Sequence, residues 1–129
     1  MQTADSDVIL AIDDDDAVRA SLRFALEIEG FAVGDYRSGE DLLSADVVGG
    51  AACLLVDYRL PGIDGVALVS ELRARGICCP AILMTTNPTA EIRQRASNAG
   101  VTIVEKPLFG NGLAEAIQNA IGRAAVPGA

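Results

Sequence analysis

Four short aliphatic runs limit most strongly what this chain can fold into: VILAI (8–12), CLLV (53–56), AILM (81–84) and VTIV (101–104). They are almost wholly apolar rather than alternating with polar residues. That is the pattern of strands covered on both faces, as in a parallel sheet. A fifth segment, FAVGDY (31–36), alternates more and belongs nearer an edge. Helical faces separate the runs. Val18, Leu22, Ala25 and Leu26 mark the first, and Leu42 and Leu43 sit in a short second helix. Val66, Leu68, Val69 and Leu72 mark the third, Ile92 and Ala96 a thin fourth, and Leu113, Ile117 and Ile121 the last. Gly30, Gly49-Gly50, Gly76 and Gly100 follow these helices as stop signals. Strand and helix thus alternate five times. This predicts an α/β fold, a parallel sheet with helices on both faces, because right-handed crossovers must cover it.

A chain of 129 residues is one domain of ordinary size, and with half its residues apolar but 4% aromatic its core must be aliphatic. We expect residues 8–122 to form the domain, 1–7 a flexible N-terminus, and 123–129 a tail or the start of a linker. The final VPGA favours a stand-alone unit. The net charge of -8 argues against electrostatic binding to nucleic acid or to an anionic membrane. No apolar run approaches the roughly 20 residues of a membrane span, and the polar, acidic MQTADSD is unlike a secretory signal. The expected location is cytoplasmic. Cys53, Cys78 and Cys79 are odd in number and lack zinc-ligand spacing, so they read as reduced thiols. The absence of histidine excludes Ser-His-Asp and Cys-His catalysis and any His-ligated metal.

In an open parallel sheet, ligands bind beyond the carboxyl ends of the strands. Asp13 and Asp14 follow the first run, Asp57 the third, Thr85 and Thr86 the fourth, and Glu105, Lys106 and Pro107 the fifth. Lys106 is the only lysine; the other cations are arginines. Acids, hydroxyls and one amine on a single edge suit phosphoryl chemistry with a hard divalent cation. Mg²⁺ takes oxygen ligands, and a carboxylate can itself become an aspartyl phosphate. Of the run Asp13 to Asp16, we assign Asp15 and Asp16 to a helix N-cap and first turn. Asp64 is likewise assigned to cap the third helix, after a turn at Pro61-Gly62 suited to type II.

The segments VILAIDDDDAVR, LLVDYRLPGIDG, PAILMTT and VEKP, in this order, resemble the signature segments of the receiver domain of two-component response regulators. The resemblance implies a flavodoxin-like, doubly wound (βα)5 sandwich with a five-stranded parallel sheet in the order 2-1-3-4-5. It implies a phosphorylation-dependent switch that accepts a phosphoryl group on Asp57 with Mg²⁺ (or Mn²⁺). The donor would be a sensor histidine kinase or phosphotransfer protein. Such a module catalyses only its own phosphorylation and dephosphorylation, and changes its protein-interaction surface toward a downstream protein target. Residue by residue, Asp14 would bind the metal directly, Asp13 mainly through water, and Asp57 and the backbone carbonyl of Arg59 would complete the protein's share. Thr85 and Lys106 would contact the phosphoryl group, Thr86 would act as gatekeeper, and the bond to Pro107 would be cis. The fourth helix, fifth strand and fifth helix would form the output face, through which a homodimer would also form.

The chain departs from the family at Ile103, where an aromatic residue usually reports phosphorylation. The segment from Gly100 to Lys106 is also one residue short, and Thr86 is bulkier than the usual small residue. Switching is therefore expected to rely on Thr85 and on backbone movement around the fourth helix. Three rivals are weaker. A pseudo-receiver would typically lack Asp14, Asp57 or Lys106. A Mg-dependent aspartyl-phosphate phosphatase would want an acid where Arg59 stands. A flavodoxin-like cofactor carrier would want a first loop rich in Ser and Thr.

Overall fold

The computed structural model describes residues 8–45, 50–106 and 112–125. Strands and helices alternate from β1 (Val8–Ile12) through α1 (Asp16–Ile28), β2 (Ala32–Tyr36), α2 (Gly39–Leu43), β3 (Cys53–Asp57) and α3 (Gly65–Ala74). The order continues with β4 (Ala81–Thr85), α4 (Ala90–Ala99), β5 (Thr102–Glu105) and α5 (Gly112–Ala125). The five strands pair in parallel in the order β2-β1-β3-β4-β5, as the resemblance implied. The expected cis bond at Pro107, and Gly49, lie outside the described residues. Helix α5 continues past residue 122, to Ala125.

The unbroken apolar runs are explained by two cores, one on each face. Ile9, Ala11, Cys53, Leu55, Ile82 and Met84 pack with Leu22 and Leu26 of α1 and with Leu113 and Ile117 of α5. Their neighbours Leu10, Ile12, Leu54, Val56 and Leu83 face the other way, toward Leu42, Leu68, Leu72 and Ala96. Because successive strand side chains point to opposite faces, a strand with a core on both sides must be apolar throughout. Each such side chain contributes about 1.5–3 kcal/mol by leaving water.

The observed strands differ slightly from the sequence runs. β3 and β4 each extend one residue to include Asp57 and Thr85, polar residues whose backbones still pair in the sheet. β5 begins at Thr102, because the N–H of Val101 is spent on Ala96 O, 2.9 Å away, closing the end of α4. Gly100 takes φ 72 there, the left-handed conformation that a helix C-terminus commonly requires. The expected core face of α1 is narrower than its apolar residues suggested. Leu22 and Leu26 are buried, whereas Ala25 is exposed at the margin of the stripe. Phe24 and Ile28 stand on the solvent side of the same helix. No helix among the described residues is long and apolar enough to cross a membrane.

Candidate functional site

The site starts where β1 ends and the chain turns into α1. Asp13 is almost fully buried, and its Oδ1 accepts the Asp15 N–H at 2.9 Å. Asp14 is exposed, at the rim. Asp15 is the N-cap of α1, its carboxylate accepting the N–H groups of Ala17 and Val18. Asp16, in the first turn, pairs with Arg19 at 2.6 Å. Arg19 also donates to the backbone carbonyl of Asp13 at 2.8 Å, bracing the turn from below. Sequence reasoning overlooked Arg19; its i,i+3 spacing from Asp16 was a usable signal.

Asp57 ends β3 and is buried, with the next amide, Tyr58 N–H, donating to Met84 O at 2.9 Å. The loop beyond it turns at Gly62, whose φ of 77 fits the type II turn expected at Pro61-Gly62. It closes where Gly65 N–H donates to Tyr58 O at 2.9 Å. Asp64 caps α3 as expected, accepting the Ala67 N–H at 2.8 Å. Arg59, exposed, lies on this loop, as do Tyr58 and Asp64, which both meet Arg95 of α4. Sequence reasoning overlooked Arg95.

Lys106 arrives from the far edge of the sheet. Its backbone N–H donates to Thr85 O at 2.8 Å, and its Nζ lies 3.2 Å from Asp13 Oδ2 and 3.3 Å from Asp57 Oδ1. Thr85 is buried at the end of β4, Thr86 beside it is exposed, and Ile103 is half-buried on β5. Burial pushes the Asp57 carboxyl above its ordinary pKa, and the nearby Asp13 charge adds to this, against the opposing pull of Lys106. Burial would lower the Lys106 pKa, but the Asp57 and Asp13 carboxylates outweigh it and hold the ammonium more strongly protonated than usual. Cys53 is buried, its thiol pushed up to about 12 mainly by that burial, so it is not a nucleophile.

Ligand oxygens of Asp13, Asp14 and Asp57 all lie within 4.8 Å of one another. Octahedral Mg²⁺ binds oxygen at about 2.0–2.1 Å, so opposite ligands around it stand roughly 4.2 Å apart. At most one pair of the three can be opposite, and adjacent ligands stand about 2.9 Å apart, so a bound ion would draw the carboxylates closer together. One ammonium neutralises one of their three charges, leaving an excess that a hard divalent cation would balance. No buried side-chain polar atom among the described residues lacks a partner.

Comparison with known proteins agrees with this arrangement. Residues 9–118 match the response regulator receiver domain family. The transcriptional regulatory protein FixJ of Azorhizobium caulinodans is 39% identical over 118 residues, which cover 91% of this chain and 56% of that protein. The chain thus spans about half the length of the curated relatives it matches. The crystal structure of FixJ-N superposes with a TM-score of 0.82 at 30% identity, covering 98% of this chain and 99% of that one. The response regulator TrrA of Thermotoga maritima, crystallised with Mg²⁺-BeF, superposes with a TM-score of 0.75 at 25% identity, covering 88% and 97%. With its five-stranded order, its acids and lysine gathered on one sheet edge, and a match along most of its length, the chain belongs to the receiver-domain family of two-component response regulators.

Proposed function

We propose that Asp57 is the phosphoacceptor of a signalling switch, and that Asp13, Asp14, Asp57 and the Arg59 carbonyl hold a Mg²⁺ (or Mn²⁺) ion beside it. The observation that carries this is the Lys106 ammonium, which reaches Asp13 and Asp57 together from the opposite edge of the site. TrrA, whose structure contains Mg²⁺-BeF, supports the same reading.

An Asp57 carboxylate oxygen attacks phosphorus, a P–O bond forms, and the bond from phosphorus to the donor's nitrogen or oxygen breaks, with that electron pair leaving on the donor. When bound, the divalent ion offsets repulsion between the carboxylates and the incoming phosphoryl oxygens. Lys106 neutralises one carboxylate before transfer and is a compact point charge for the phosphoryl group afterwards. Thr85, at the end of the neighbouring strand, supplies a hydroxyl donor. Thr86, exposed next to Thr85, is the gatekeeper, its bulk slowing the access of water or a partner to the phosphoryl group. The donor is a sensor histidine kinase or phosphotransfer protein in the cytoplasm. The response reaches a downstream protein through α4, β5 and α5, the face on which two copies would also pair.

The test is incubation with acetyl phosphate and Mg²⁺ followed by intact-mass measurement. The chain should gain one labile phosphoryl group, and Asp57→Asn should gain none. Failure with both acetyl phosphate and a phosphorylated phosphotransfer protein overturns the reading.

A further inference from the structure

Arg95 projects from α4 onto the loop that leaves the phosphoacceptor. Its Nη1 donates to Tyr58 Oη at 3.0 Å and to Asp64 Oδ2 at 3.1 Å, and its Nη2 donates to Asp64 Oδ1 at 3.3 Å. The guanidinium carbon lies 5.9 Å from the centroid of the Tyr58 ring, within cation–π range. The same Asp64 carboxylate caps α3, and Tyr58 is bonded by its own backbone to Met84 of β4 and to Gly65 of α3. One rigid, planar fork therefore joins α4 to the residue that follows Asp57 and to the start of α3. The side chains of Arg95 and Asp64 are each about two-thirds buried, 34% and 35% exposed, so this contact is partly shielded from water.

Nothing comparable is available at Ile103. Its side chain has no hydrogen-bonding group and packs, half-buried, against the core beneath α4. Among the described residues, a polar connection between the Asp57 loop and α4 runs instead through Arg95.

We propose that Arg95 is a positioning residue whose contacts with Tyr58 and Asp64 transmit the phosphorylation state of Asp57 to α4. The inference rests on Asp57 being the phosphoacceptor. A phosphoryl group on Asp57 acts on a loop that α4 already grips, so displacement of Tyr58 or Asp64 changes the hold on α4. The coupling is reciprocal: releasing α4 changes how stably the phosphorylated state is held. Arginine is required because a lysine ammonium cannot reproduce the fork.

The test uses the full chain with Arg95→Gln, Asp64→Asn (which keeps an N-cap acceptor for α3), the double variant and Arg95→Lys. Intact mass after acetyl phosphate and Mg²⁺ treatment gives the extent and lifetime of phosphorylation. Hydrogen exchange of residues 90–99, with and without the phosphoryl group, gives the response of α4. Wild type should show a phosphorylation-dependent change in that exchange. Arg95→Gln and Asp64→Asn should still be phosphorylated but show a response about threefold smaller or less. The double variant should lose no more than either single one, and Arg95→Lys should lose most of the response with the helix intact. A purely structural contact would speed exchange equally in both states and leave the phosphorylation-dependent difference unchanged; that result, or additive losses, overturns the proposal. If wild type gains no phosphoryl group, the assignment of Asp57 fails and the coupling fails with it.

Discussion

Four adjacent aspartates have four environments, although their side chains are chemically identical. Asp13 is buried against Lys106, Asp14 is an exposed acid at the rim of the carboxylate cluster, Asp15 caps α1, and Asp16 pairs with Arg19 on the surface. The division can be tested by thermal melting with and without Mg²⁺. Asp15→Ala should lower stability by about 1 kcal/mol through the lost cap, yet keep the Mg²⁺-induced rise in melting temperature. Asp14→Ala should do the reverse. Asp57 makes a second prediction. Its carboxyl pKa is raised, by burial first and by Asp13 second, so the folded chain holds that proton more tightly than the unfolded chain. Stability contributed by this group is therefore greatest below the unfolded pKa and is lost as pH rises through the higher folded value. Asp57→Asn carries no charge to bury. Without metal it should be more stable than wild type at neutral pH, and the advantage should vanish on acidification below the unfolded pKa of about 3.8. Equal pH profiles in urea titrations would contradict this account.

Elements reach the site by close packing, most tightly where α3 begins. A Cβ built on Gly65 would lie 2.5 Å from Asp57 O and 2.8 Å from Leu83 Cδ1. The obstacle is backbone, so relief would have to come from the strand end that carries Asp57. Gly65→Ala should cost about 1–3 kcal/mol by overpacking and also reduce phosphoryl uptake by Asp57, read by melting and by intact mass. The central elements were legible because β1, β3 and β4 have a core on each face, which forces continuous apolar runs ending at the polar edge. Asp13, Asp14 and Asp57 were legible for the same reason, as the polar residues that directly follow β1 and β3, and Lys106 as the only lysine, just after the fifth run. The contacts of Arg95 were not. Arg95 sits on a helix with few apolar positions, and its partner Asp64 is 31 residues upstream, so no local pattern links them. The expected core face of α1 was too wide at one position, because a helix can carry more apolar residues than the sheet covers; Ala25 is exposed at its margin.

At the scale of the whole molecule, the acidic cluster depends on the assembled sheet. Lys106 and Asp13 are 93 residues apart in sequence, and the site takes residues from the ends of β1, β3, β4 and β5. No single unit of strand and helix contains it, so a metal held by Asp13, Asp14 and Asp57 binds the native sheet and not a chain in which the strands have parted. Binding then stabilises the native state by RT ln(1 + [L]/Kd), whatever the local details of coordination. Amides of β1 and β3, buried at the centre, exchange with solvent mainly through global unfolding, whereas amides at helix ends exchange through local fraying. Mg²⁺ at a hundred times its Kd should therefore slow exchange in the central strands by about 100-fold, while the frayed ends of α1 and α4 change little. Asp57→Asn should shrink this slowing by removing one of the three carboxylates. If protection rose only in residues 13–16 and 57–64 and the central strands were unaffected, the cluster would be capturing metal in a locally ordered loop without stabilising the sheet.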